Sequence, residues 1–146
     1  SIAVQLARRA GARVVGTGRA GGRDIALGLG ADAYVDLETE RLEDAGEVDV
    51  VLDVFGGEIL ERSAGLIRPG GTLVTIAEPT EARPRDGRTI FFVVEADRVR
   101  LAELAELVRA GSLRVLVGSR YPLADAATAF SAGRGGGKTI IVVDEH

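Results

Sequence analysis

The chain contains no cysteine, methionine or tryptophan, and its one histidine is the terminal His146. Without cysteine there is neither a disulfide nor a thiolate metal site, and a single terminal imidazole does not make a zinc centre. His146 reads as tail rather than ligand. No apolar run approaches the ~18 residues of a membrane span, and no charged-then-apolar leader precedes the first segment, so a cytoplasmic protein without a membrane partner is expected. The 22 acidic and 18 basic residues are interspersed, leaving a formal charge of −4 and no basic face for nucleic acid. What is present is an apolar share of 46% in 146 residues, enough for one domain with an ordinary core.

Short apolar segments alternate with helical patterns and glycine or proline punctuation, the βα rhythm of a parallel sheet covered on both faces. A helix is expected over 1–10, ending at Gly11, then a strand over 13–17. A second helix over 22–29 precedes a strand at 33–35, and the acidic stretch 38–46 reads as a loop with one helical turn. The run Val48-Asp-Val-Val-Leu-Asp53 is a strand leading through Gly56-Gly57 into a helix that reaches about Leu66. Pro69-Gly70-Gly71 predicts a turn before a strand over 72–76, and the charged stretch 78–89 a mobile surface loop. A strand follows over 90–94. Asp97 is a good N-cap for a helix in which Leu101, Leu104, Leu107 and Val108 share a face, and Gly111 ends it. Strands over 114–117 and 139–143 flank a helix over 123–132 and the glycine run 133–137. No internal repeat or second core is visible.

The first stretch, Ser1 to Arg19, reads as a helix followed by the second strand of a dinucleotide-binding fold whose first strand and glycine-rich turn lie outside the sequence. At the end of that second strand stands Thr17-Gly18-Arg19-Ala20-Gly21-Gly22-Arg23, with no carboxylate before Asp24. An acidic residue there would bond a ribose 2′-hydroxyl, whereas a nearby guanidinium forks onto a 2′-phosphate, so NADPH is favoured over NADH. Asp53-Val-Phe-Gly-Gly57 and Leu66-Ile-Arg-Pro-Gly-Gly-Thr-Leu-Val74 fall at strand ends where open α/β sheets place ligands, although S-adenosylmethionine-dependent methyltransferases share such elements. Asp53 reads as a turn-bonding residue rather than a general base. Phe91 and Phe92, taken alone, read as core. Gly135-Gly-Gly-Lys-Thr139 imitates a phosphate-binding loop, but its strand-loop-helix context is missing.

In this order the blocks resemble the cofactor domain of the medium-chain dehydrogenase/reductase superfamily, in its zinc-independent quinone-oxidoreductase-like branch. The marks are Ala3-Val-Gln-Leu-Ala7, Gly11-Ala-Arg-Val-Val-Gly16, Leu29-Gly-Ala-Asp32, Asp49-Val-Val-Leu-Asp53, Arg68-Pro-Gly-Gly71, Leu101 to Gly111 and Gly137-Lys138, together covering nearly the whole chain. The resemblance implies a Rossmann-like doubly wound α/β domain over 1–146 and hydride transfer from NADPH to a quinone or α,β-unsaturated carbonyl. It also implies a cleft shared with a catalytic domain that is not in this sequence. It places Thr17, Gly18, Arg19 and Arg23 near the adenosine ribose and its phosphate. Val54, Phe55 and Gly56 would flank the nicotinamide-side ribose, Ile76 and Ala77 the next loop, Phe91, Phe92 and Val93 the carboxamide edge, and Lys138 the closing side of the cleft.

Because the nicotinamide itself carries the hydride, no catalytic residue is sought in this half. The first strand of the order 3-2-1-4-5-6 is central, so without it two inner edges are unpaired and a destabilised, oligomeric or rearranged chain is expected. Leu37 stands where some members of the family have an aromatic residue near adenine. Two other readings are a noncatalytic nucleotide-binding or interaction module, suggested by the edge strand near Val115 through which a homodimer or higher oligomer is expected, and a methyltransferase-like domain.

Overall fold

The computed structural model describes residues 2–132 and 136–143. His146 and the first three glycine-run residues, 133–135, lie outside them. The elements are α1 (Ile2–Arg9), β1 (Val15–Gly18), α2 (Arg23–Gly28), β2 (Ala33–Asp36), β3 (Val48–Asp53), α3 (Gly57–Ala64), β4 (Ile67–Thr75), β5 (Arg88–Phe91), α4 (Arg98–Arg109), β6 (Val117–Pro122), α5 (Ala126–Ser131) and β7 (Lys138–Val142). Short 3-10 turns occupy Ala20–Gly22, Leu42–Ala45 and Leu123–Asp125.

Every strand pair is parallel, in ladders β1–β2, β3–β4–β5 and β6–β7. In the strand order 3-2-1-4-5-6, these place β2 and β1 on one side and β3, β4 and β5 on the other. No strand among the described residues fills place 1, and β1 and β3 share no ladder. The interruption of the sheet falls where the sequence predicts it.

The register Val51↔Leu73↔Thr89 and Asp53↔Thr75↔Phe91 sets one face of the three-stranded ladder. Against this face α3 packs Leu60 and Ala64, which with Ile67 and Leu73 form a core cluster. The other face departs from expectation. Val50, Leu52 and Ile90 remain 58%, 48% and 39% exposed, so the ladder is covered on one face rather than both. The helix α4 carries no buried residue.

Several element ends also differ from the sequence reading. Pro69-Gly70-Gly71 does not precede β4 but lies inside it as a bulge, where Val48 to Val50 of β3 run opposite Ile67 to Thr72. Gly70, at φ +82°, turns that bulge, and its N–H donates to the Arg85 carbonyl at 2.9 Å. The stretch 78–87 is therefore tied down, with Pro84 buried and the Thr89 hydroxyl donating to the Ala82 carbonyl at 2.7 Å. β5 ends at Phe91 rather than Val94, and β6 begins at Val117 instead of Arg114. Beside the second shift stands Gln5, a buried polar residue of α1. Its amide accepts from the Arg114 N–H at 2.8 Å and donates to the Arg114 carbonyl at 2.9 Å, satisfying the main-chain groups that a ladder would otherwise use.

Candidate functional site at the strand ends

Asp53 closes β3 and lies 4% exposed beside the fully buried Thr75 at the end of β4. Its carboxylate accepts the Thr75 hydroxyl at 2.9 Å, the Phe55 N–H at 3.2 Å and the Gly56 N–H at 3.1 Å. Thr75 Oγ1 in turn accepts the Ala77 N–H at 3.2 Å, and the Ile76 N–H reaches the Asp53 carbonyl at 3.2 Å. Two adjacent loops are thereby fixed to each other by one buried carboxylate. The turn-bonding reading of Asp53 matches this geometry. Gly56 carries φ +75°, and a Cβ there would sit 2.9 Å from the Glu78 carboxylate, which itself accepts the Gly57 N–H at 2.6 Å.

The knitted loops present apolar side chains outward. Val54, Phe55, Ile76, Phe91, Phe92 and Val93 are 39–75% exposed. They are neighbours through register: Asp53, Thr75 and Phe91 are aligned across β3, β4 and β5, so Val54, Ile76 and Phe92 follow side by side. The Phe92 N–H also donates to the Thr75 carbonyl at 3.4 Å. The reading of Phe91 and Phe92 as core is thus corrected. Phe91 ends the row of buried Asp53 and Thr75 on the outermost strand yet is 39% exposed, and Phe92, one residue further on, is 45% exposed. A contiguous apolar ridge at the carboxyl ends of parallel strands is the expected place for a flat ligand in this architecture.

Thr17, Gly18, Arg19 and Arg23 gather around a residue that the sequence did not single out. Tyr34, on β2, is 8% exposed, and its hydroxyl donates to the Arg19 carbonyl at 2.8 Å. Its ring fills the space left by glycine at three positions: a Cβ at Gly16, Gly18 or Gly22 would come within 3.0, 2.6 or 2.5 Å of it. These glycines serve the packing of a tyrosine. Burial, aided by the Asp36 and Glu38 carboxylates, raises the Tyr34 phenol above its usual range, and Arg23 opposes them.

Arg23 lies over the Tyr34 ring, 5.4 Å from its centroid. It donates to the Tyr34 carbonyl at 3.1 Å and to Glu40 Oε2 at 2.5 Å. The same Glu40 oxygen accepts the Asp36 N–H at 2.6 Å. That backbone bond, followed by Arg23, holds the Glu40 carboxyl below its ordinary value. Arg19 is 87% exposed along its side chain and meets Glu38 at 3.7 Å. The acidic stretch, read as a loop with one helical turn, thus contributes a carboxylate opposite each of the two arginines.

Lys138 is set apart from the ridge. It opens β7, its N–H donating to the Leu116 carbonyl at 2.7 Å, and lines a groove of about 320 Å³ with Ile2, Ile25, Val115, Leu116 and Gly137. The groove lies against the first turn of α1.

Comparison with known proteins bears on the family and the fold. The zinc-binding dehydrogenase family matches residues 29–141. A protein of Arthroderma benhamiae named "Probable zinc-binding oxidoreductase, mitochondrial" is 32% identical over 82% of this chain. The chain belongs to the zinc-binding dehydrogenase family. Its fold is Rossmann-like, an α/β arrangement in which every ladder is parallel. The quinone oxidoreductase from Coxiella burnetii superposes with a TM-score of 0.83 over 98% of this chain at 24% identity, a likeness of fold. A candidate zinc-binding dehydrogenase from Sinorhizobium meliloti 1021 bound to NADP superposes over 96% at 29% identity, with a TM-score of 0.79. The chain spans 40% of the Arthroderma protein and 49% and 48% of the two structures.

The family's name invites a test for zinc. The sequence has no cysteine and one histidine, and no group of three potential ligands occurs among the described residues, so the residues present do not fit that metal. No described helix is long and apolar enough to cross a membrane.

Proposed function

We propose that this chain is the cofactor-holding half of an NADPH-dependent, zinc-independent oxidoreductase that reduces a quinone or an α,β-unsaturated carbonyl. The observation that carries the proposal is the ridge of Val54, Phe55, Ile76, Phe91, Phe92 and Val93, held by the Asp53–Thr75 bond where three parallel strands end. When bound, the nicotinamide supplies the hydride. The ridge would cover one side of that ring and exclude water from it, while Gly56 and Ala77 let the backbone approach the adjoining ribose. At the other end, Thr17, Gly18, Arg19 and Arg23 would receive the adenosine ribose and its 2′-phosphate. The exposed guanidinium of Arg19, at a strand end without a carboxylate, favours NADPH over NADH. Lys138 would close the groove beside α1.

The test is amide chemical-shift mapping of the chain titrated with NADPH. Shifts are expected at 17–23, 54–57, 76–77 and 91–93. Changes confined to other segments would remove the assignment.

A cytoplasmic homodimer is part of the same reading. Among the described residues β6 is paired on one side only, by β7, and Val115 beside it is 44% exposed. A second copy would cover this edge. Size analysis of Val115→Lys should show a smaller species than the parent chain, and an unchanged assembly would remove the interface.

A further inference from the structure

We infer that Glu40 is a specificity-determining residue that works against the 2′-phosphate, competing with it for Arg23 and so moderating the preference for NADPH over NADH. The inference rests on the cofactor reading above and concerns this chain's own charge arrangement.

The contacts already described account for both candidate phosphate-binding cations. Arg23 is engaged with Glu40 at 2.5 Å, and Arg19 lies 3.7 Å from Glu38. Two positive charges are thus matched by two negative ones on a single turn that leaves β2. A doubly charged phosphate entering there meets no net positive charge, although the sequence around Arg19 and Arg23 promises it.

The competitor is also held in place. Glu40 Oε2 accepts the Asp36 N–H as well as the Arg23 guanidinium, so the carboxylate remains beside Arg23 when the guanidinium turns toward a ligand. Arg23 and Glu40 are 39% and 41% exposed along their side chains, which leaves the pair open to an incoming anion. Exchange is therefore accessible, but it proceeds against a fixed negative charge. An adenosine that carries only a 2′-hydroxyl does not meet this opposition. The result is a penalty on NADPH that NADH does not share.

The decisive variant is Glu40→Gln, which removes the charge and retains an oxygen that can accept from Asp36 and Arg23. Glu43→Gln is the control, because Glu43 pairs with Arg62 at 2.9 Å instead. Dissociation constants for NADP+ and NAD+ would be measured by calorimetry on the parent chain and both variants. Glu40→Gln is expected to bind NADP+ about tenfold more tightly, a gain worth about 1.4 kcal/mol, with NAD+ changed less than about twofold. Glu43→Gln should change neither. NADP+ affinity that is unchanged or weaker in Glu40→Gln, or an equal gain in Glu43→Gln, would overturn the inference. If the parent chain binds neither nucleotide detectably, appearance of NADP+ binding in Glu40→Gln supports the competition and its absence refutes it. A preference for NAD+ in the parent that persists in Glu40→Gln would instead overturn the NADPH reading.

Discussion

The hydroxyl of Thr75 donates to Asp53 across two neighbouring strands at 2.9 Å, with both side chains removed from solvent. The bond matters because Asp53 also takes two backbone N–H groups from the loop after β3, while Thr75 takes one from the loop after β4. Removing either partner leaves buried polar groups without their acceptor or donor.

Thr75→Val keeps the shape and deletes the hydroxyl. The expected loss is about 1–3 kcal/mol of unfolding free energy, measured as a fall in the denaturant midpoint. Because the Ala77 N–H loses its acceptor and the Asp53 carboxylate its side-chain link to β4, NADPH affinity should fall as well. A variant as stable as the parent would show that the two loops are held by other contacts.

Gly22 and Tyr34 form a second coupled pair, since a Cβ at Gly22 would stand 2.5 Å from the tyrosine hydroxyl. Gly22→Ala is expected to destabilise the chain by about 1–3 kcal/mol through overpacking. Tyr34→Phe removes the obstructing oxygen, so the double variant should lose less than the sum of the two single changes. A double-mutant cycle in denaturant reads the coupling, and strict additivity would contradict the proposed contact. Independently, spectrophotometric titration should find one tyrosine ionising above the usual value of 10.

Asp32 gives the acid response a definite sign. Its carboxylate accepts the Val14 N–H and an Arg8 guanidinium, both at 2.8 Å, and the Val14 bond is the main cause that holds its pKa below the usual 3.8. A carboxylate with a depressed folded pKa stabilises the fold above its unfolded value and loses that contribution as pH falls through the folded one. Asp32→Asn should therefore be less stable than the parent at pH 7, and the gap should narrow as pH falls below about 3.8. A constant gap from pH 7 to pH 2.5 would mean that ionisation of Asp32 is not what holds Val14.

Much of this arrangement was legible in the sequence because it depends on local order. The apolar run from Val48 to Asp53 became β3, and Asp97 caps α4 as its side chain suggests, accepting the Arg100 N–H at 2.9 Å. Asp53 declared itself by position, as an acidic residue closing a strand before two glycines. Tyr34 and Glu40 did not. Both act through contacts with residues 11 to 17 positions away, so neither periodicity nor a turn motif signals them. The glycines at 16, 18 and 22 leave room for Tyr34, a contact that their places in the sequence do not announce. Gln5 binds the main chain of Arg114 across 109 positions of sequence, a link that only the folded chain displays. Phe91 and Phe92 looked like core because aromatics usually are, yet Phe91 stands on the outermost strand of the ladder and Phe92 just beyond its end, and both stay exposed.

The strand-end ridge and the Arg19/Arg23 corner are together proposed to hold NADPH. Calorimetric titration of the 146-residue chain with NADPH, NADH and S-adenosylmethionine tests this proposal most directly. The account predicts saturable binding of NADPH, weaker binding of NADH and none of S-adenosylmethionine. Binding of S-adenosylmethionine, a preference for NADH, or no binding of either nicotinamide nucleotide would contradict it.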